Sequence, residues 1–386
     1  MNSKLQSGVL RELEEASATL VNPALLEWKQ QGGKVVGIMY NYVPEEIITA
    51  AGLLPYRMRA TGSTGTELSE SCFTQTNCSL VRHFFDSGMR GDQNFLDGVV
   101  TVNSCDHIRR LYDNWKSKVR TPYMHFLSFP KKSGVEQVEA YRKELVSFKK
   151  SLEETYNVKI TDERLMDAIK LHNETRRLQR KLYELRKSAT PPITGAETLA
   201  VMVAGTCMPR KHYNTLLNQV LDDCGHSEGN TGYSVRVMVV GGEIDDPKLI
   251  ETIESQGCLV VADSLGYGSR SIMKDVDTTG DPLTALASYQ VMERPADPRI
   301  NGTSFARNDY VTAMAREYQA DGVVSVRLLQ CDHWAFEQVN LSKHLKKNHL
   351  PHLALEIEYI LGSVGQLKTR VQAFLEGIGE AKHGNN

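Results

Sequence analysis

The stretch "DGVVTVNSCDH" (Asp97–His107) returns as "DGVVSVRLLQCDH" (Asp321–His333). In each copy Asp-Gly leads into a β-branched apolar run, and the polar residues after it end in Cys-Asp-His. A short, continuous apolar run between turn residues reads as a strand buried on both faces, the signature of a parallel sheet covered by helices.

Similar runs flank both copies: "KVVGIM" (34–39) and "YMHFLS" (123–128) around the first, "VRVMVV" (235–240), "CLVVAD" (258–263) and "HLALEI" (352–357) around the second. They alternate with helix-like stretches, which predicts an α/β fold with mostly parallel sheets. The repetition extends further. "VVGIMYNYVPEEIITAAG" and "VRVMVVGGEIDDPKLIETIESQG" each read as strand, short loop, acidic pair beside a proline, and helix ending near Gly. The expectation is two similar doubly wound domains, Rossmann- or flavodoxin-like, with additional helices, facing each other across a cleft.

Between the two sets, "EQVEAYRKELVSFKKSLEETYN" and "ITDERLMDAIKLHNETRRLQRKLYELRKS" form a polar helical region. Thr161 is the expected N-cap of the second helix, Asp162 and Glu163 occupy its first turn, and Leu171, Leu178, Leu182 and Leu185 form one stripe. Its charges read as a solvated face. "SATPPITG" (188–195) breaks the pattern with prolines and glycine. The expected organisation is an N-terminal helical segment (1–32), an α/β domain with a helical extension (33–190) and a second α/β domain (191–386).

A length of 386 residues fits two domains. A net charge of −2, from 45 basic and 47 acidic residues mixed along the chain, gives no global field toward nucleic acid or an anionic membrane. "MNSKLQSGVLRELEEASATL" is charged where a signal peptide needs an apolar core, and no apolar run reaches the roughly 18 residues of a membrane span, so a cytoplasmic protein is expected. Seven cysteines are an odd number, which in such a compartment points to core thiols, metal ligands or redox groups.

In doubly wound folds ligands bind beyond the carboxyl ends of the strands. Cys105 and Cys331 follow equivalent strands, so two facing crevices would let them share one site. Cys78, in "TNCSLVRHFFDSG", is a third candidate: Asn77 would cap a helix running to Gly88, with Cys78 in its first turn, where the dipole favours a thiolate. Three thiolates from three loops suit an iron–sulfur cluster with one iron left open. Zinc on Cys105, His107, Cys331 and His333 is the alternative. Cys224 and Cys258 read as core residues, and Cys72 and Cys207 as intermediate cases.

"KVVGIMYNYVPEEIITAAGLLPYRM", "NCSLVRHFFDSG", "LDGVVTVNSCDHIRRLYDNWK", "GGEIDDPKLIETIESQGCLVVADSLGYGSRS" and "ADGVVSVRLLQCDHWAFE" together resemble the family of benzoyl-CoA reductase and 2-hydroxyacyl-CoA dehydratase iron–sulfur subunits. The likeness runs in order from about residue 10 to 380. It implies a [4Fe–4S] cluster held by Cys78, Cys105 and Cys331 in the interdomain cleft. It also implies a paralogous cluster-binding subunit, an ATP-hydrolysing activator with its own cluster fed by a donor such as ferredoxin, and a CoA-thioester substrate. The expected activity is that of a benzoyl-CoA-type reductase subunit, with a 2-hydroxyacyl-CoA dehydratase subunit as the alternative. A stand-alone reductase with a double-cubane [8Fe–9S] cluster would have to recruit Cys72, Cys207 and one of Cys224 or Cys258.

No flavin or nicotinamide site is indicated. "GSTGTE" (62–67) lacks the lysine of a phosphate-binding loop, which leaves ATP chemistry to a partner. Glu45, Glu46 and His107 are the candidate proton handlers. His107 and His333 have a second reading as groups that hydrogen-bond the cluster or brace its loops. Arg109, Arg110 and Arg270 are candidates for the CoA phosphates.

Overall fold

The computed structural model describes residues 5, 7–362 and 364–383. The first half contains α1 (Gly8–Ala18), α2 (Pro23–Gln30), β1 (Val35–Ile38), α3 (Glu45–Ala50), β2 (Leu54–Arg57), α4 (Ser79–Arg90), β3 (Gly98–Val102), α5 (Asp106–Lys118) and β4 (Tyr123–Leu127). Four connecting helices follow: α6 (Val135–Tyr156), α7 (Asp162–Leu185), α8 (Gly195–Ala204) and α9 (Arg210–Gly225). The second half contains β5 (Val235–Gly241), α10 (Pro247–Glu254), β6 (Cys258–Ser264), α11 (Pro282–Ser288), α12 (Ser304–Glu317), β7 (Gly322–Leu328), α13 (Asp332–Lys347), β8 (His352–Ile357) and α14 (Val364–His383).

Among the described residues the strands form two sheets of four, ordered β2-β1-β3-β4 and β6-β5-β7-β8, and every pairing is parallel. Relabelled, the two orders are identical, so the duplication read from the sequence is a duplication of topology. The repeated Asp-Gly has the same role in both copies. Asp97 Oδ2 accepts the Val35 N–H at 2.8 Å, and Asp321 Oδ2 accepts the Arg236 N–H at 2.8 Å, each fixing the start of the neighbouring strand. A Cβ on Gly98 would lie 2.6 Å from the Tyr156 hydroxyl, and one on Gly322 would lie 2.8 Å from Ile378 and Phe374, so helices α6 and α14 press equally close.

One strand is absent from the sequence reading. β2, "LPYR", is short and carries Pro55, a residue that sheets tolerate at an edge, and an edge is where it lies. Helix α4 also differs from expectation. Asn77 spends its side chain on the Thr74 N–H (2.9 Å), Cys78 is itself the N-cap, and the helix passes Gly88 to end at Gly91, which has φ +88°. Gly88 is interior because a Cβ there would meet Trp115 of α5 at 2.6 Å.

Thr161 caps α7 as expected, accepting the Arg164 N–H at 3.2 Å. The reading of this helix's charges as a solvated face holds for only part of it. Arg176 and Arg186 are buried, Arg176 paired with Glu46 and Arg186 lying 3.5 Å from Asp263. The cause is position: α7 lies between the two sheets' connections and has apolar contact with α1, α8 and α9 through Leu178 and Leu182.

The strand ends of the halves face each other and are tied together. Arg57 pairs with Glu243 (2.5 Å), the Ala60 N–H donates to the Tyr359 hydroxyl (2.9 Å), and the Ser79 N–H donates to the Leu329 carbonyl (3.0 Å). Among the described residues no helix is long and apolar enough to cross a membrane.

Candidate cysteine-lined cofactor site

β3 ends at Val102 and β7 at Leu328, and in each copy the chain then turns into a helix whose N-cap is the cysteine: Cys105 for α5 and Cys331 for α13. Cys78 caps α4 in the same way. Three helices thus begin at three cysteines, and all three cysteines line one cavity of about 130 Å³ at the interdomain strand ends. Its remaining wall is largely apolar, with Leu80, Val81, Ile108 and Trp334. Each helix N-terminus turns partial positive charge toward an anionic occupant.

The thiols are close enough to influence one another. Burial pushes the Cys105 thiol up to about 11, with Cys331 adding to the shift. The Cys331 thiol is also raised well above its usual value, first by the neighbouring Cys78 and then by burial. A bound cationic centre reverses this logic and takes thiolates.

His107 ties the three loops together. Two residues after Cys105, its Nδ1 accepts the Cys78 N–H at 3.0 Å, which leaves Nε2 protonated and 3.9 Å from the exposed Asp332 carboxylate, next to Cys331. His333 lines the same cavity, and burial lowers its pKa. Among the described residues no three His, Cys, Asp or Glu side chains converge on a point where one metal ion could sit. The four-ligand zinc arrangement is therefore not assembled, and the Cys78 amide already occupies Nδ1 of His107. A cluster would bind each thiolate through a different iron, and three thiols spaced around one cavity at helix N-termini fit such a group.

The other cysteines lie elsewhere. Cys207 is fully buried in the α8–α9 turn, contacted by Asn22 and donating to the Ala204 carbonyl, while Cys224 and Cys258 are in the core. Cys72 is half-buried beside Ser71, outside the cavity wall.

Glu45 and Glu46 are not brought to the cysteines. Both line a separate polar cavity, where Glu45 pairs with Arg210 and Glu46 with Arg176. Burial alone would raise the Glu46 carboxyl, but Arg176 outweighs it and holds the pKa at about 2. Glu243 stands between the cavities: it lines the cysteine cavity while its carboxylate accepts from Asn41 and Arg57, both at 2.5 Å. Arg109 and Arg110 are exposed on α5 and paired with Asp106 and Asp113. Arg270 is 1% exposed, packed 5.2 Å from the Trp334 ring and 3.5 Å from Asp297, and so offers nothing to a phosphate at the surface.

Sequence reasoning passed over Arg299. This buried guanidinium, from the second half, donates to the carbonyls of Asn103 and Ser104, directly before Cys105, and of Phe129 and Pro130. It fixes the Cys105 loop from across the cleft, and "PADPRI" (295–300) carries no local pattern that announces this. Glu243 and Trp334 had a fainter signal in the glycine pair of "GGE", since a Cβ on Gly242 would lie 2.8 Å from Trp334 Nε1.

Two parallel doubly wound sheets of identical order, with three helix-capping cysteines gathered where their strand ends meet, define a two-domain α/β protein with a thiol-lined interdomain site. The chain belongs to the 2-hydroxyglutaryl-CoA dehydratase, D-component family, whose model matches residues 40–378. It is 27% identical over 362 residues to a benzoyl-CoA reductase subunit of Thauera aromatica, covering 92% of this chain and 94% of that one. It is 25% identical over 378 residues to the beta subunit of (R)-2-hydroxyglutaryl-CoA dehydratase of Acidaminococcus fermentans, covering 96% and 99%. With the (R)-phenyllactyl-CoA dehydratase beta subunit of Clostridium sporogenes it shares 25% over 355 residues, covering 91% and 93%. The relatives are subunits of a reductase and of dehydratases, so the chain is an enzyme subunit of this group.

Proposed function

We propose that the chain is the iron–sulfur core subunit of an ATP-dependent, benzoyl-CoA-type reductase, with a [4Fe–4S] cluster on Cys78, Cys105 and Cys331. The observation that carries this reading is the convergence of three helix-capping cysteines on one cavity. When bound, the cluster supplies single electrons at low potential and one iron without a protein ligand. The protein's share is electrostatic and steric. The N-termini of α4, α5 and α13 stabilise the cluster's negative charge. Leu80, Ile108 and Trp334 keep water from it, and Arg299 and His107 hold the Cys105 and Cys78 loops in place. The core is completed by a paralogous subunit. An ATP-hydrolysing activator, itself reduced by a ferredoxin-like donor, delivers the electrons that a CoA thioester accepts.

One observation favours a second reading, the cluster subunit of a 2-hydroxyacyl-CoA dehydratase. The cavity beyond Glu243 is walled by arginines, glutamates and glutamines, surroundings that suit a polar acyl group better than an unsubstituted ring. Anaerobic reconstitution with the companion subunit and activator, followed by product analysis with benzoyl-CoA and with 2-hydroxyacyl-CoA thioesters, tests both. Ring reduction supports the first reading, dehydration the second, and turnover of neither contradicts both.

A further inference from the structure

The loop that follows β1 puts a phenol into the cysteine cavity. Tyr40 lies two residues past Ile38, at the carboxyl end of an inner strand. Among the described residues it is the one hydroxyl-bearing side chain that lines the cavity with Cys78, Cys105 and Cys331. The residue is 9% exposed, and its hydroxyl makes no hydrogen bond among the described residues. The indole N–H of Trp334, in the same wall, is also unpartnered, but it is sealed in and has almost no accessible surface. The Tyr40 oxygen is not sealed in, and the cavity is what it faces. The neighbouring tyrosines are satisfied within the protein. The Tyr42 hydroxyl accepts the Asp297 N–H at 2.8 Å, and the Tyr141 hydroxyl donates to the Tyr42 carbonyl at 2.5 Å. A buried hydroxyl without a partner is costly unless an occupant completes it.

The duplication shows that the fold does not require this phenol. Ile38 pairs with Val100 of β3 and Val239 with Val324 of β7, and Val100 and Val324 hold the same place in the two Asp-Gly-Val-Val runs. Tyr40 is therefore matched in the second half by Gly241, where a Cβ would lie 2.7 Å from the Val326 carbonyl oxygen. One copy closes this loop with no side chain at all, and in the other a phenylalanine would fill the space without an orphan hydroxyl. His107 already spends Nδ1 on the Cys78 amide and turns Nε2 toward Asp332. Tyr40 is thus an uncommitted hydroxyl donor at a site built for negative charge, and a phenol stays protonated at neutral pH.

We propose that the Tyr40 hydroxyl donates a hydrogen bond to a sulfur of the group bound by Cys78, Cys105 and Cys331, and so raises that group's reduction potential. The inference rests on the cluster reading given above and adds to it a side chain that sets the potential. Reduction adds negative charge, a donor holds the more negative form more strongly, and the reduced form gains most.

Anaerobic redox titration of the reconstituted full chain, followed by electron paramagnetic resonance of the reduced form, tests this. Y40F keeps the ring and removes only the hydroxyl, so it should retain about four irons per chain. At a fixed potential its ratio of reduced to oxidised cluster should fall about three- to tenfold, a midpoint about 30–60 mV lower for a one-electron couple. Placing 3-fluorotyrosine at position 40, a more acidic phenol and a stronger donor, should move the midpoint the opposite way. An iron-loaded Y40F with the wild-type midpoint overturns the role of Tyr40 and leaves the cluster assignment standing. Loss of iron from Y40F alone makes the hydroxyl part of cluster assembly and overturns its role in setting the potential. An iron-free wild type overturns the cluster assignment and this role with it.

Discussion

Replacing Arg299 with alanine should release the Cys105 loop without unfolding the protein. The guanidinium makes four bonds to backbone carbonyls, at 2.9 Å to Pro130, 3.1 Å to Asn103, 3.2 Å to Phe129 and 3.3 Å to Ser104, and its residue is 2% exposed. Bonds to a charged donor are each worth about 1.5–3 kcal/mol. Their sum is offset by the desolvation of Arg299 itself and by water entering the space left behind, so a net loss of about 3–4 kcal/mol is expected. Much of that falls on one loop. If about 3 kcal/mol of it appears as local opening, Cys105 should become accessible roughly a hundredfold more often, since each 1.4 kcal/mol is a factor of ten. Alkylation of the metal-free chain, read by peptide mass spectrometry, should show Cys105 labelled much faster in R299A while Cys258, in the core, stays protected. R299K should recover only part of the effect, because an ammonium cannot reproduce the planar fork. Wild-type labelling of Cys105 in R299A would refute the clamp.

Other expectations follow from the same geometry. Glu46 has its folded pKa lowered to about 2, so its pairing with Arg176 stabilises the fold at neutral pH and loses that contribution, about 3 kcal/mol, as pH falls from about 5 toward 2. Urea midpoints measured across that range should fall in wild type and fall less in E46Q, which is already weakened by leaving Arg176 unpaired. Gly98→Ala and Gly322→Ala should each lower the stability read from urea unfolding by about 1–3 kcal/mol, through contact with Tyr156 in one half and with Ile378 and Phe374 in the other. Gly242→Ala should push Trp334 from its place beside the cysteines, seen as changed near-ultraviolet circular dichroism.

The two Asp-Gly-Val-Val runs made the doubled sheet legible, because a parallel strand buried on both faces writes its burial directly as a continuous apolar run. β2 escaped for the opposite reason: at the edge, with Pro55 and Arg57 in four residues, it has little apolar signal. The three cavity cysteines were readable because polar residues surround each of them at the mouth of a helix. Asn77 and Cys78 were misassigned by one position, since both can cap and only the competing Thr74 amide decides between them. Arg299, Glu243 and Arg294 act across the interdomain cleft. Their partners across the cleft lie from 169 to 253 positions away, as for Arg299 with Pro130 and Arg294 with Asn41, and no local pattern encodes such pairings.

Iron and sulfide analysis of anaerobically purified protein tests the cysteine cavity most directly. Wild type should carry about four of each per chain, C78S, C105S and C331S should lose them, and C72S and C207S should keep them. About eight irons per chain, full iron in any of the three cavity variants, or an iron-free wild type after reconstitution would contradict the assignment of one [4Fe–4S] cluster to Cys78, Cys105 and Cys331.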